Sequence, residues 1–115
     1  MSVNRKVFFN RDISWLQFND RVLQEAEDPS VPLIERIRFL GIHSNNMDEF
    51  FRVRYSSIRR LTLSDDNGSQ EDLEGYKPSK LLKKLTEMVT YQQQKSQEIY
   101  ERLEQELKSH QIEIV

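Results

Sequence analysis

Between Phe39 and Arg54 the chain reads FLGIHSNNMDEFFRVR, so that an apolar helix end, a polar break and a second helix start fall within sixteen residues. That junction constrains the rest. Gly41 stands near the end of one apolar-periodic segment, and Ser44, Asn45 and Asn46 are all good N-cap residues for the next. The expected geometry is a tight helix-to-helix corner. With Asn46 as the cap, Glu49 sits three residues on, where a capping-box carboxylate reaches back to the cap's backbone N–H. Asp48 and Glu49 both suit the positive end of the helix dipole. Met47, Phe50, Phe51, Arg54, Tyr55, Ile58 and Leu61 then recur at three- and four-residue steps, predicting an amphipathic helix over 47–63.

Upstream, residues 2–11 form a lead-in whose large apolar pair, Phe8 and Phe9, is expected to tuck against a helical bundle. Ser14 is the expected cap of a first helix, with Trp15, Leu16, Phe18, Val22, Leu23 and Ala26 on its buried face. Gln17, Asn19, Asp20, Arg21, Gln24, Glu25 and Glu27 are placed largely on the opposite face. Pro29 forbids easy continuation past Asp28, and Pro32 opens the next helix at little cost in hydrogen bonds. That second helix carries Leu33, Ile34, Ile37, Phe39, Leu40 and Ile42, apolar on more than one side, and is expected to be the central and most buried one. Its exposed edge is read as Glu35, Arg36 and Arg38.

Downstream, the stretch 64–77 reads SDDNGSQEDLEGYK, with two glycines and five acids, and is expected to be a loop. Pro78 and Ser79 announce a last helix reaching about Ser109, with Leu81, Leu85, Met88, Gln92, Lys95, Ile99, Leu103 and Leu107 at helical spacing. Roughly 30 residues at 1.5 Å rise make a rod of about 45 Å, one end of which is expected to project. Its stripe fades over YQQQKSQ, Tyr91 to Gln97. The closing QIEIV alternates as a strand does.

The expected architecture is therefore all-α: a helical bundle of about four helices with a long C-terminal helix, over 1–109. Residues 110–115 are read as the start of a strand leading to a following domain. Only 37% of residues are hydrophobic and 31% are charged, and no apolar run approaches the roughly 20 residues of a spanning helix. The opening MSVNRKVFF lacks a secretion signal's apolar core. Without cysteine there is no disulfide framework and no thiolate metal site. The expected location is the cytoplasm. A net charge of −2 and a pI near 5.7 disfavour a broad nucleic-acid surface, including that of an RNA-binding helical bundle.

The chain has no glycine-rich phosphate loop, nucleophile elbow or His-Glu-x-x-His motif. His43 is read as a structural histidine, and His110 is given no role. Asn45 and Asn46 carry more information, because a carboxamide offers the acceptor and donors that complement an adenine edge. Capping and ligand contact both remain open for them. Asp48 and Glu49 would repel a triphosphate, so a nucleotide at this place should present its base. Arg36, Arg38, Arg52, Arg54, Arg59 and Arg60 could collect phosphate oxygens but read as a solvated, ion-paired helix surface. Trp15, Phe18, Phe39, Phe50 and Phe51 read as core rather than as a stacking platform.

The segments SWLQFNDRVLQEA (Ser14 to Ala26) and PLIERIRFLGIHSNNMDEFFRVR (Pro32 to Arg54) resemble the start of polyphosphate kinase of the first bacterial type. The resemblance is most specific at SNNMDEFFRVR. It implies a helical opening domain, followed in the family by a head domain and two phospholipase-D-like domains. The implied enzyme moves the terminal phosphate of ATP reversibly onto inorganic polyphosphate, through a phosphohistidine and with magnesium. It further implies that Asn46, and less directly Asn45, is the adenine contact, and that the domain helps the enzyme form a dimer or higher oligomer. No catalytic residue, phosphate ligand or magnesium ligand of the family falls in this chain, so the fragment alone is expected to be inactive. The family also leaves room for membrane association of the full-length enzyme. The alternative is a purely architectural helical dimerisation module in which the asparagines only cap.

Overall fold

A computed structural model describes residues 10–64 and 77–109. The expected packing of Phe8 and Phe9, the acidic loop, His110 and the closing strand lie outside them. The described residues build three helical rods. The first is α1 (Arg11–Glu27), and the second joins α2 (Leu33–Phe50) to α3 (Ser56–Ser64) through a π turn over Phe51–Tyr55. The third is α4 (Pro78–Ser109).

Asn10, not Ser14, caps α1: its Oδ1 accepts from the N–H groups of Asp12 at 2.9 Å and Ile13 at 3.1 Å. The helix stops at Glu27 as expected, and Asp28 closes the turn by accepting both the backbone N–H and the hydroxyl of Ser30. Pro32 stands immediately before Leu33, its carbonyl taken by the Arg36 N–H. From there the second rod runs without a corner. Gly41, Ser44, Asn45 and Asn46 are all interior to α2, so none of them ends or caps a helix, and Glu49 closes no capping box. The reason is that a helix bends only where packing or hydrogen bonding rewards it. Here Leu40, His43, Met47 and Phe50 hold one buried stripe across the whole polar stretch. A change of register comes later, where the Ser56 N–H reaches back five residues to the Phe51 carbonyl.

Two apolar clusters hold the rods together. One gathers Leu16, Met47, Phe50, Ile58, Leu81, Leu85 and Val89; the other gathers Leu23, Ala26, Leu40, Ile99 and Leu103. Between them lies a polar layer with one residue from each rod: Asn19, His43 and Gln92, all at most 2% exposed. Asn19 thus belongs to the buried face of α1, whereas Phe18, expected in the core, is 49% exposed. The second rod is not apolar throughout its surroundings either, since Ile34 and Ile42 face solvent while Arg36 is buried. Arg36 is drawn inward because its guanidinium is satisfied there, by the Val31 carbonyl and by both oxygens of Glu106. α4 is packed from Pro78 to Leu103 and tied at Glu106, so its described part has no long projecting end.

Candidate functional site

A cavity of about 400 Å³ opens beside the junction of α1 with the second rod. α1 contributes Arg11, Asp12 and Trp15; α2 contributes Asn46, Glu49 and Phe50; the π turn adds Val53 and Arg54. Periodicity explains the convergence, since residues 46, 49, 50 and 53 share one side of a helix and residues 11, 12 and 15 share one side of α1. The π turn matters for the last of them. Inserting one residue into the helical repeat rotates the side chains beyond it, and such turns recur beside functional sites. Ser56 steadies it by donating its hydroxyl toward the carbonyls of Phe51 and Arg52.

One wall of the cavity is aromatic. The Trp15 and Phe50 rings stack with centroids 5.5 Å apart and planes 10° from parallel. Phe50 is buried, whereas Trp15 is only partly so, and both line the cavity. The opposite rim is a fork: Arg54 donates from Nε and from one terminal nitrogen to the two oxygens of Asp12, at 2.7 and 2.8 Å. Asp12 is nearly buried, so the pair neutralises a carboxylate that burial would otherwise penalise. Glu49 keeps a carboxylate at the same mouth.

Of the two candidate asparagines, Asn46 lines the cavity and Asn45 does not. Asn46 is half-buried and donates its Nδ2 to Asn19 Oδ1 at 3.0 Å, while Asn45 is exposed. Asn19 in turn donates its Nδ2 to the His43 carbonyl at 3.3 Å. His43 is therefore not a corner residue but a member of the buried layer. Its Nε2 meets Gln92 Oε1 at 3.1 Å, and Gln92 Nε2 donates to the Leu16 carbonyl at 2.8 Å. Burial pushes the His43 imidazole below its ordinary value, with the Gln92 bond and the charge of Asp20 acting the other way. That environment fits a structural histidine.

Sequence reasoning places Trp15 in the core and Asn19 on the solvent side, and singles out neither Arg11 nor Asp12. A usable signal exists for Asn19. It stands three residues after Leu16 and four before Leu23, in the middle of the apolar stripe.

Three packed rods with a polar middle layer and a side cavity define an all-α helical domain. The family is given by comparison. Residues 8–115 match the model of the polyphosphate kinase N-terminal domain, and the chain belongs to that family. It is 43% identical over 111 residues to a polyphosphate kinase of Yersinia pestis and 40% identical over 111 residues to that of Vibrio parahaemolyticus. In both cases 96% of this chain aligns to 15% of the relative. Against the polyphosphate kinase of Escherichia coli it is 57% identical over 65 residues, 56% of this chain and 9% of the relative. The chain thus spans about 15% of the length of the full-alignment relatives. No solved structure matches it significantly. No helix among the described residues is long and apolar enough to cross a membrane.

Proposed function

We propose that this domain serves a kinase that transfers the terminal phosphate of ATP reversibly to inorganic polyphosphate, and that its own part is to receive the adenine base. The observation that carries the reading is Asn46 on the wall of a cavity that Trp15 also lines. A flat apolar wall accepts a purine ring face, and a carboxamide reads its edge. Trp15 is placed here as a stacking wall as well as a core residue. Asn45, exposed and off the cavity, is a weaker candidate. In this reading magnesium and the triphosphate are held by other domains of the enzyme.

The bond-making residues are assigned to the rest of the enzyme. The purified fragment is expected to make no polyphosphate from ATP; measurable chain growth would overturn that. A dimerisation role for the domain is part of the same proposal, and the exposed Ile34 and Ile42 on α2 are among the apolar side chains that could serve it.

Substituting Asn46 by Ala in the full-length enzyme tests the base contact. A raised KM for ATP with unchanged oligomer size supports it. Loss of folding alone supports the purely architectural alternative, which the Asn46–Asn19 hydrogen bond favours. An amide NMR titration of the fragment with ATP and GTP gives an independent view around residues 44–49. With most contacts supplied by other domains, the fragment is expected to bind ATP no better than about 1 mM, or about 4 kcal/mol.

A further inference from the structure

The middle layer fixes the direction of the Asn46 amide. A backbone carbonyl can only accept a hydrogen bond, so the group of Asn19 that faces the His43 oxygen at 3.3 Å must be its amide nitrogen. Its Oδ1 is thereby turned toward Asn46, where it can only accept. Asn46 meets it with Nδ2 at 3.0 Å. The opposite orientation of Asn46 would set two amide oxygens against each other. Asn19 is fully buried, so no water can take over either bond. The order of donors is therefore imposed from the backbone of α2, through α1, onto a side chain that lines the cavity. What Asn46 keeps for a ligand is its carbonyl oxygen and one amide hydrogen.

We propose that Asn19 is a positioning residue that sets the base preference of this site, holding Asn46 so that it offers an acceptor to the exocyclic amine of a 6-amino purine and rejects a 6-oxo purine. Adenine presents an N6–H donor beside a ring-nitrogen acceptor, which matches an oxygen beside an amide hydrogen. Guanine presents O6 beside N1–H, the reverse pattern. Only a flipped Asn46 would fit it, and Asn19 forbids the flip. This inference rests on the reading of Asn46 as the base contact.

The test uses the full-length kinase and separate KM and kcat values for ATP and GTP as phosphate donors. Asn19→Leu keeps the bulk but removes both bonds, and is expected to raise KM for ATP and lower it for GTP, so that the preference for ATP falls about tenfold with smaller changes in kcat. Asn19→Asp keeps an oxygen facing Asn46 and is expected to hold the preference within about twofold while lowering Tm. Should Asn19→Leu fail to fold, Asn19→Ser makes the same comparison, since its hydroxyl can still reach the His43 carbonyl but is too short for Asn46. A folded Leu or Ser variant with an unchanged preference overturns the proposal, as does loss of the preference in Asn19→Asp. Asn46→Ala measured alongside separates the two claims: no effect on KM for ATP there overturns the base contact itself, whatever Asn19 does.

Discussion

His43 Nε2 lies 3.1 Å from Gln92 Oε1, across the layer that divides the two apolar clusters. The Gln92 amide nitrogen is committed to the Leu16 carbonyl, so its oxygen must accept and His43 must carry its proton on Nε2. Nδ1 is then a bare acceptor, buried and without a hydrogen-bond partner among the described residues. Protonating the ring would turn that atom into an unpaired buried donor, which is why the folded protein keeps His43 neutral.

Stability should therefore depend on pH. Burial lowers the His43 pKa in the folded chain, whereas the unfolded chain keeps a value near 6.5, so the unfolded state binds more protons as the solution is acidified. Stability contributed by neutral His43 is complete above pH 6.5 and is lost as pH falls from there toward the lowered folded value. Urea unfolding of the 115-residue chain between about pH 5 and 7.5 should show stability rising with pH over the lower part of that range. His43→Asn should flatten that slope. A slope of the opposite sign would contradict the buried neutral ring.

Gln92→Leu removes both bonds at once, leaving the His43 N–H buried and unmatched and the Leu16 carbonyl with its bond inside α1 alone. At about 1–3 kcal/mol for an orphaned buried donor, offset in part by the gain of an apolar side chain, a loss of about 1–2 kcal/mol is expected. Chemical denaturation measures it directly. Gln93→Leu, one position along on the exposed side of α4, should change stability by less than about 0.5 kcal/mol.

The rods were legible because period and punctuation act locally: Pro29 and Pro32 end one helix and begin another, and Pro78 opens α4 where expected. The continuity of α2 through residues 41–46, where the sequence suggests a corner, was not. Glycine and asparagine weaken a helix by about 1 kcal/mol or less each, and tertiary burial of Leu40, His43, Met47 and Phe50 outweighs that. Asn46 was legible as a candidate from its chemistry, but its neighbours in space were not. The cavity requires α1 to be laid against α2 in one register, and that register is set by the long-range contacts of Asn19, Gln92 and the Asp12–Arg54 fork. None of these can be read from spacing along one helix. Arg36 misled for the same reason, its partner Glu106 lying seventy residues away.

Gly41 offers a direct check that α2 is continuous. It lies inside the helix on an exposed face, and a Cβ added there would meet nothing within 4 Å. Gly41→Ala should then raise stability by about 0.5–1 kcal/mol, because alanine loses less conformational freedom on entering a helix. A corner that required glycine would instead make the substitution destabilising. Equilibrium unfolding decides between the two, and a stabilised variant whose full-length enzyme lost activity would locate a partner domain on that face.

The Arg36–Glu106 pair closes the far end of the bundle, where α2 begins and α4 nears its end. Arg36 is 8% exposed, and its guanidinium meets the two Glu106 oxygens at 2.9 and 3.2 Å while Nε donates to Val31. Removing the carboxylate charge leaves a nearly buried cation with a weaker partner. Because the Glu106 side chain is still 32% exposed, water can compensate in part, and Glu106→Gln should cost about 1–2 kcal/mol rather than the roughly 3–5 kcal/mol of a fully buried pair. Arg36→Met removes the need for the carboxylate and packs against the cluster of Leu33, Ile37 and Leu40. The double variant Arg36→Met with Glu106→Gln should therefore be more stable than Glu106→Gln alone. A double-mutant cycle by urea unfolding reads the difference, and strict additivity of the two changes would show that the pair is not coupled.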